Sequence, residues 1–463
     1  MKEFSIESLA EIIQAGPTNN IEGFFTGVST DSRTAQPGDC FFALSGENFD
    51  GHDFVGDAFA KGAVCAVVGR DFEDAKLAGR SLLIVPDTIK ALGDFAGQYR
   101  RRMNFKVVAI TGSAGKTTTK QIVYHVLNRH FHVSAAPKSF NNNIGLPLTL
   151  LGAEPEDEIV VAEIGTNHPG EIAYLTRIAL PDIAVITNVY PAHLDGFVNL
   201  QAIVQEKLSI SEGLGPDGIL IVNADFDQLI SACRAKDMKF ITFGQSDTSD
   251  IQARNIAGSG FGSSFTVDGS EVYLPLPGRG NVENALAAWA VCSRFGLTVD
   301  DFAAAVRTLP AIPMRTELLQ IGTLTVLNDC YNANPASMKN ALDILADIGS
   351  AKRRRTVFIC GDMAELGEQS RQLHAELGCQ IARAKVDLLL AVGEFAQITA
   401  ESAKRNAGHN LQTKCFKDAA SVNNKLEGFI KDYDIILVKG SRVARLETVI
   451  ERLKELFLVK QGA

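Results

Sequence analysis

The stretch Ala109–Lys120, AITGSAGKTTTK, carries the residue types of a phosphate cradle. Gly115-Lys116-Thr117 is how a P-loop ends: backbone amides at a helix start face phosphate oxygens, the lysine reaches the terminal phosphates, and the hydroxyl can take Mg²⁺. The ordinary pattern also asks for a glycine five residues before Gly115. Ile110 stands there, and Gly112 comes two residues later. The spacing leaves two readings, a shortened cradle running from Gly112 through Ser113, Ala114, Gly115, Lys116 and Thr117 to Thr118, or a tight turn with a solvated Lys116.

Three residues further on carry chemistry that would suit the first reading. Glu163 closes the apolar run EIVVAEIG, so it should emerge at a strand's carboxyl end, where the ligand sites of α/β sheets collect. An acid there can hold the Mg²⁺ of a nucleoside triphosphatase. His193 follows the next apolar run, in ITNVYPAHLDGF, and Lys207 sits in the helical pattern IVQEKLSI. Taken singly, Glu163 is equally a strand-end surface acid, His193 a hydrogen-bonded loop histidine and Lys207 a solvated helix lysine. Glu163 and His193 at successive strand ends behind a glycine loop favour a phosphate–metal site.

The elements that must position these residues are legible as apolar runs. KVVAIT before the loop has a buried-strand pattern, and KTTTKQIVYHVLNRHF after it has helical spacing. Residues 1–97 form a first block, with short strand-like runs CFFAL and AVCAVVG around the Gly/Asp-rich SGENFDGHD. Residues 98–312 form a second, in which DEIVVAEIG, DIAVITNV, GILIVNAD and KFITFG alternate with helical segments. That alternation predicts a largely parallel sheet. TLPAIPMR, with two prolines, reads as a linker. Residues 313–463 repeat the alternation with LTVLND, RTVFICGD, VDLLLAVG and DIILVKG, and with helices expected near 336–348, 370–385, 395–405 and 445–457. The fold class is α/β in three domains: a small N-terminal α/β domain, a central P-loop ATPase-like parallel-sheet domain and a C-terminal Rossmann-like domain.

Bulk properties limit the partners. A chain of 463 residues is too long for one ordinary core, and 46% hydrophobic with 21% charged residues is a folded, soluble composition. A formal charge of −9 gives no sequence-wide field to attract nucleic acid or an anionic membrane. No apolar run is long enough to cross a bilayer, and acids interrupt the apolar N-terminus. The eight cysteines form no CxxC pair, which fits buried free thiols in a reducing compartment. A cytoplasmic, monomeric protein is expected.

With these residues in hand, the sequence resembles the Mur ligase family, ATP-dependent amide-forming enzymes of bacterial cell-wall precursor synthesis. TGSAGKTTTK has that family's short glycine spacing. It is followed in order by NNNIGLPLTLL (141–151), EIGTNHPGEI (163–172), ITNVYPAHLDGF (186–197), PLPGRGNVENALAA (275–288), LNDCYNANPASM (327–338), GDMAELGE (361–368) and VKGSR (438–442). STDSRTAQPGDCFFALSGENFDGHDF (29–54) precedes it. DCYNANPASM with GDMAELGE is similar to the member that adds D-alanyl-D-alanine to UDP-N-acetylmuramoyl-tripeptide. The DNPR motif usual in the sister enzyme that adds the third amino acid is absent from the sequence.

The resemblance implies roles. Lys116 and the loop amides would bind ATP phosphates, Thr117 and Glu163 Mg²⁺, and His193 would assist a second Mg²⁺. Lys207 aligns with a lysine that the family carbamylates with CO₂ to N6-carboxylysine, an anionic oxygen ligand. Asn284 would contact adenine, Arg315 the phosphates and Asp329 the nucleotide. Ser32, Arg33, Asp50 and Gly51 fall in segments like the uridine-nucleotide pocket, although DSR and FDGHD are also good turn sequences. Asn332, Asn334 and Ser337 would bind the dipeptide or cap a helix. Closure of the third domain over the second would bring Asp329 and Asn332 to the nucleotide. Two positions depart from the family pattern: Gly280 stands where a histidine is common, and Lys207 is followed by Leu208-Ser209 rather than Gly-Glu.

Overall fold

The computed structural model describes residues 1–16, 21–46, 49–77, 79–191, 195–197, 199–258 and 260–458. His193, one of the expected site residues, lies outside them. The chain divides into two compact units that do not follow chain order: Met1–Thr111, Leu127–Val185 and Glu206–Leu220 form one, and Gly112–Val126, Ile186–Gln205 and Ile221–Ala463 the other.

After a short helix (Ile6–Ile12) and the antiparallel pairing of Phe4–Ser5 with Phe24–Phe25, the first unit holds a parallel sheet of order β1-β2-β3-β4, from Gly27–Ser29, Asp39–Phe42, Cys65–Gly69 and Ser81–Val85. All four residues of β2 are buried, as a strand covered on both faces requires. Helix α1 (Thr88–Arg102) follows, its start fixed by Asp87, whose carboxylate accepts from the amides of Ile89 and Lys90 at 2.9 Å. Then come β5 (Lys106–Thr111), β6 (Val133–Ala135), β7 (Ile159–Glu163) and, mostly in this unit, β8 (Ile183–Ile186), in the sheet order β8-β5-β7-β6. β5, β6 and β7 run parallel. Helix α3 (Glu171–Ala179) lies between β7 and β8.

The second unit holds α2 (Lys116–Leu127, all but its last residue), the first six residues of α4 (Leu200–Leu208), and the strands β9 (Ile219–Asn223, from Ile221 on), β10 (Phe240–Gly244) and β11 (Ile251–Gln252). It continues through α5 (Arg279–Cys292) into a six-stranded sheet. That sheet is built from β12 (Glu317–Ile321), β13 (Leu324–Asn328), β14 (Thr356–Gly361), β15 (Leu388–Val392), β16 (Gln412–Phe416) and β17 (Ile435–Lys439), in the order β12-β13-β17-β14-β15-β16. β12 is antiparallel to β13 and the other pairs are parallel.

Alternation explains its layering. Leu327, Phe358, Leu389 and Leu437 join one buried cluster with α6 (Pro335–Lys352), while Val326, Ile359, Leu390 and Ile436 join another with Val449 and Leu453. The expected helices are found at Pro335–Lys352, Ser370–Arg383, Ala396–Asn406 and Glu447–Leu458. Residues 309–316, the proline segment, lie outside helices and strands. All eight cysteines are free thiols, and burial pushes those of Cys292 and Cys360 well up. No helix among the described residues is long and apolar enough to cross a membrane.

Candidate active site

The glycine loop is built by what its glycines lack. Gly112 has φ +153°, and a Cβ there would collide with Thr187 Oγ1. Gly115 has φ +81°, and a Cβ there would collide with Asn284 Oδ1. The loop's first half is braced from the segment after β8: Asn188 accepts from Ser113 N through its carbonyl (3.2 Å) and from Ala114 N through Oδ1 (2.8 Å). Thr187 Oγ1 donates to the Ala114 carbonyl at 2.7 Å, and Ser113 Oγ donates to the Tyr190 carbonyl at 2.9 Å. The amides of Ser113 and Ala114 are therefore committed to protein. Beyond them begins α2, whose first-turn amides point out of the helix's N-terminus. The first intrahelical-type bond runs from Thr119 N to the Gly115 carbonyl (2.8 Å), and Lys116 Nζ folds back to the Gly112 carbonyl at 2.9 Å.

Asn284, expected from the sequence, is 6% exposed and lies one turn into α5. Its Oδ1 accepts from Thr119 Oγ1 (3.3 Å) and its Nδ2 donates to Asn281 Oδ1 (3.2 Å). Asn281 Nδ2 donates to Thr316 Oγ1 at 3.0 Å. Thr316 N donates to Asp329 Oδ1 at 3.0 Å, and Lys439 Nζ donates to Asp329 Oδ2 at 2.5 Å. One run of hydrogen bonds thus joins the glycine loop to the end of β17. Of this run the sequence singles out Gly115, Asn284 and Asp329, but not Thr119, Asn281, Thr316 or Lys439. VKGSR was the only signal for Lys439. Ser441, in the same motif, has a buried hydroxyl without a partner among the described residues. Arg315 stacks its guanidinium over Tyr331, 4.2 Å from the ring centroid.

Asn334 and Ser337 form the capping box of α6: Ser337 N donates to Asn334 Oδ1 (2.8 Å), Asn334 N donates to Ser337 Oγ (3.0 Å), and Pro335 takes the first helical position. Asn334 Nδ2 remains and donates to the Ser113 carbonyl at 3.2 Å, so the segment after β13 touches the glycine loop. Asn332 offers its carbonyl to Lys439 Nζ at 3.0 Å. At the departure from the family pattern, the Gly280 amide donates to Asn340 Oδ1 on α6 at 3.1 Å.

In the first unit Glu163 is the last residue of β7, 1% exposed, and accepts from Asn141 Nδ2 at 2.8 Å. Lys207 is 3% exposed, which removes the solvated-lysine reading. Its neighbour Glu206 clasps the loop leading into α3, accepting from Gly170 N (2.7 Å) and Ile172 N (2.9 Å). The residues of the N-terminal sheet show their turn chemistry. Arg33 grips Asp31, which holds that carboxyl down at about 2. Asp50 accepts from His52 N at 3.0 Å and from His52 Nδ1 at 2.5 Å, while His52 Nε2 accepts from Gly69 N. Gly51 approaches the Leu44 backbone too closely for a Cβ, and Ser32 is buried.

A partly buried acid, Glu283, stands next to Asn284 on α5. Burial, and then the charge of Asp225, push the Glu283 carboxyl up to about 7; Gln245 Nε2 donates to it at 3.3 Å. Tyr190, packed edge-on to Phe226, has its phenol raised to about 12 by burial.

The Mur ligase middle domain matches residues 110–292, the glutamate ligase domain of Mur ligases residues 314–442, and the Mur ligase family catalytic domain residues 24–100. UDP-N-acetylmuramoyl-tripeptide–D-alanyl-D-alanine ligase of Escherichia coli is 36% identical, covering 98% of this chain and 99% of its own. MurF from Acinetobacter baumannii superposes with a TM-score of 0.88 at 31% identity, over 98% of this chain and 99% of its own. MurF ligase from Thermotoga maritima, solved in complex with ADP, gives 0.81 at 26% identity over 94% and 98%.

Proposed function

The chain belongs to the Mur ligase family, and from that membership we propose that it joins D-alanyl-D-alanine to the tripeptide carboxylate of UDP-N-acetylmuramoyl-tripeptide. ATP is cleaved to ADP and phosphate, and the product is the UDP-linked pentapeptide of peptidoglycan precursor synthesis. The observation that carries this reading is the likeness to ligases of that name along the whole chain, first and last blocks included. A P-loop ATPase without ligation chemistry would need only the central block.

The chemistry asks for two steps. A carboxylate acylates poorly because oxide would have to leave. Its oxygen therefore attacks the γ-phosphorus of ATP, the bond to ADP breaks, and an acyl phosphate results. The dipeptide amine then attacks the acyl carbon, a C–N bond forms, phosphate leaves with the electron pair and the amine loses a proton. Negative charge crowds together in the first step, so electrostatic positioning does most of the catalysis.

Lys116 and the first-turn amides of α2 are assigned to the phosphates, Thr117 and Glu163 to Mg²⁺, and His193 to a second Mg²⁺. Glu163 suits that role, being a buried carboxylate that accepts from Asn141 Nδ2. Mg²⁺ would then draw its other ligands from phosphate oxygens and water, as it commonly does, and would supply charge neutralisation on the transferring phosphoryl group. Asn284 is assigned to adenine, Arg315 and Asp329 to the nucleotide, Ser32, Arg33, Asp50 and Gly51 to the uridine nucleotide, and Asn332, Asn334 and Ser337 to the dipeptide. Lys207 is assigned as N6-carboxylysine. Its burial supports this, since carbamate formation requires an uncharged amine to attack CO₂.

The three functional domains are taken as residues 1–97, 98–312 and 313–463, in a cytoplasmic monomer; the free thiols support a reducing compartment. Phosphate release tests the whole reading. It should require both the UDP-linked tripeptide and D-alanyl-D-alanine. Release from ATP alone, unchanged by either, would favour the ATPase.

A further inference from the structure

Lys439 is 1% exposed, and a lysine is almost never buried so deeply without work for its charge. Its Nζ makes three contacts: Asp329 Oδ2 at 2.5 Å, the Asp329 carbonyl at 3.5 Å and the Asn332 carbonyl at 3.0 Å. Asp329 is itself pinned to the end of β17, its amide donating to the Val438 carbonyl at 2.9 Å. The far end of the same segment is fixed by Asn334, which caps α6 and reaches the Ser113 carbonyl. Between these anchors Tyr331 N donates to the Met314 carbonyl at 3.3 Å and Ala333 N to Asn332 Oδ1 at 2.9 Å, while Lys439 is the side chain that ties the Asn332 carbonyl.

We propose that Lys439 is a positioning residue for the amine-side substrate: it holds segment 329–334 in the shape that presents Asn332 and Asn334 to the dipeptide. Through Asp329 it also ends the run Asn284–Asn281–Thr316 that starts at the glycine loop. Nucleotide affinity is spared because Asn284 is fixed by Thr119 and Asn281, and because Asp329, assigned to the nucleotide, keeps its bonds with Thr316 N and the Val438 carbonyl without Lys439. Loss of the lysine therefore weakens dipeptide use and spares nucleotide affinity. This inference rests on the function proposed above.

Two variants test it, Lys439→Met, which keeps volume and removes the donor, and Lys439→Gln, which keeps a donor on a shorter stem. If the first fails to fold because Asp329 is left unpaired, the second carries the test. In a folded variant the KM for D-alanyl-D-alanine should rise at least about tenfold. The Kd of a non-hydrolysable ATP analogue should stay within about threefold, and the defect should be smaller for Gln than for Met. Amide exchange over 329–334 in the ligand-free protein should quicken while 279–292 keeps its protection. This arm holds even if wild type proves not to use the dipeptide, so failure of the function and failure of the inference are separable. Unchanged exchange over 329–334, an unchanged dipeptide KM, or equal losses for nucleotide and dipeptide would overturn the proposal.

Discussion

Asn284 fills the space that a side chain at position 115 would need: a Cβ on Gly115 would collide with its Oδ1, and the same oxygen accepts from Thr119 Oγ1 at 3.3 Å. The asparagine assigned to adenine thus also shapes the loop assigned to the phosphates. Gly115→Ala adds both a steric clash and the strain of φ +81°. We expect a stability loss of about 1–3 kcal/mol and loss of ATP-analogue binding beyond about tenfold. Calorimetric titration and thermal melts check this. Undiminished binding would mean that the loop does not hold phosphate in this shape.

Asn141 orients Glu163 through one hydrogen bond of 2.8 Å. If Glu163 holds Mg²⁺, Asn141→Ala should raise the Mg²⁺ concentration giving half-maximal rate by about ten- to a hundredfold, as is usual when an outer-shell partner of a metal ligand is removed. A titration at saturating ATP measures it, and an unshifted midpoint would detach Glu163 from the metal.

Lys207→Ala should lose most activity, and bicarbonate with short carboxylic acids should restore part of it by supplying the missing anionic oxygens. An active mutant would remove Lys207 from the mechanism. Its burial, at 3% exposed, means that a melt must accompany the assay.

Glu283 gives a pH signature. Its folded pKa is about 7 against an ordinary 4.5, so the folded state binds this proton more tightly than the unfolded chain. Its contribution to stability is full below 4.5 and is lost as pH rises through about 7. Glu283→Gln should flatten that decline and leave the variant more stable than wild type near pH 8, by about 1–3 kcal/mol. Parallel pH–stability curves for the two proteins would contradict the assignment.

The fold was legible wherever apolar runs were long. β7 ends on Glu163, as its place at the close of EIVVAEIG required, and α6 begins at Pro335 behind an asparagine cap. The glycine loop's spacing was legible, but not its brace: nothing in local sequence tells that Asn188 takes the amides of Ser113 and Ala114. Asn281, Thr316 and Lys439 were missed for the same reason. Their partners lie 35, 13 and 110 residues away, and pairing at that separation leaves no periodicity to read.

The central claim is that a peptide carboxylate receives the phosphoryl group, and isotope transfer tests it most directly. UDP-N-acetylmuramoyl-tripeptide labelled with ¹⁸O in its terminal carboxylate is turned over with ATP and D-alanyl-D-alanine, and the released phosphate is weighed by mass spectrometry. The account predicts one labelled oxygen in each phosphate and one amide formed per ADP. Unlabelled phosphate, released at a rate indifferent to the dipeptide, would show that water rather than the carboxylate accepts the phosphoryl group.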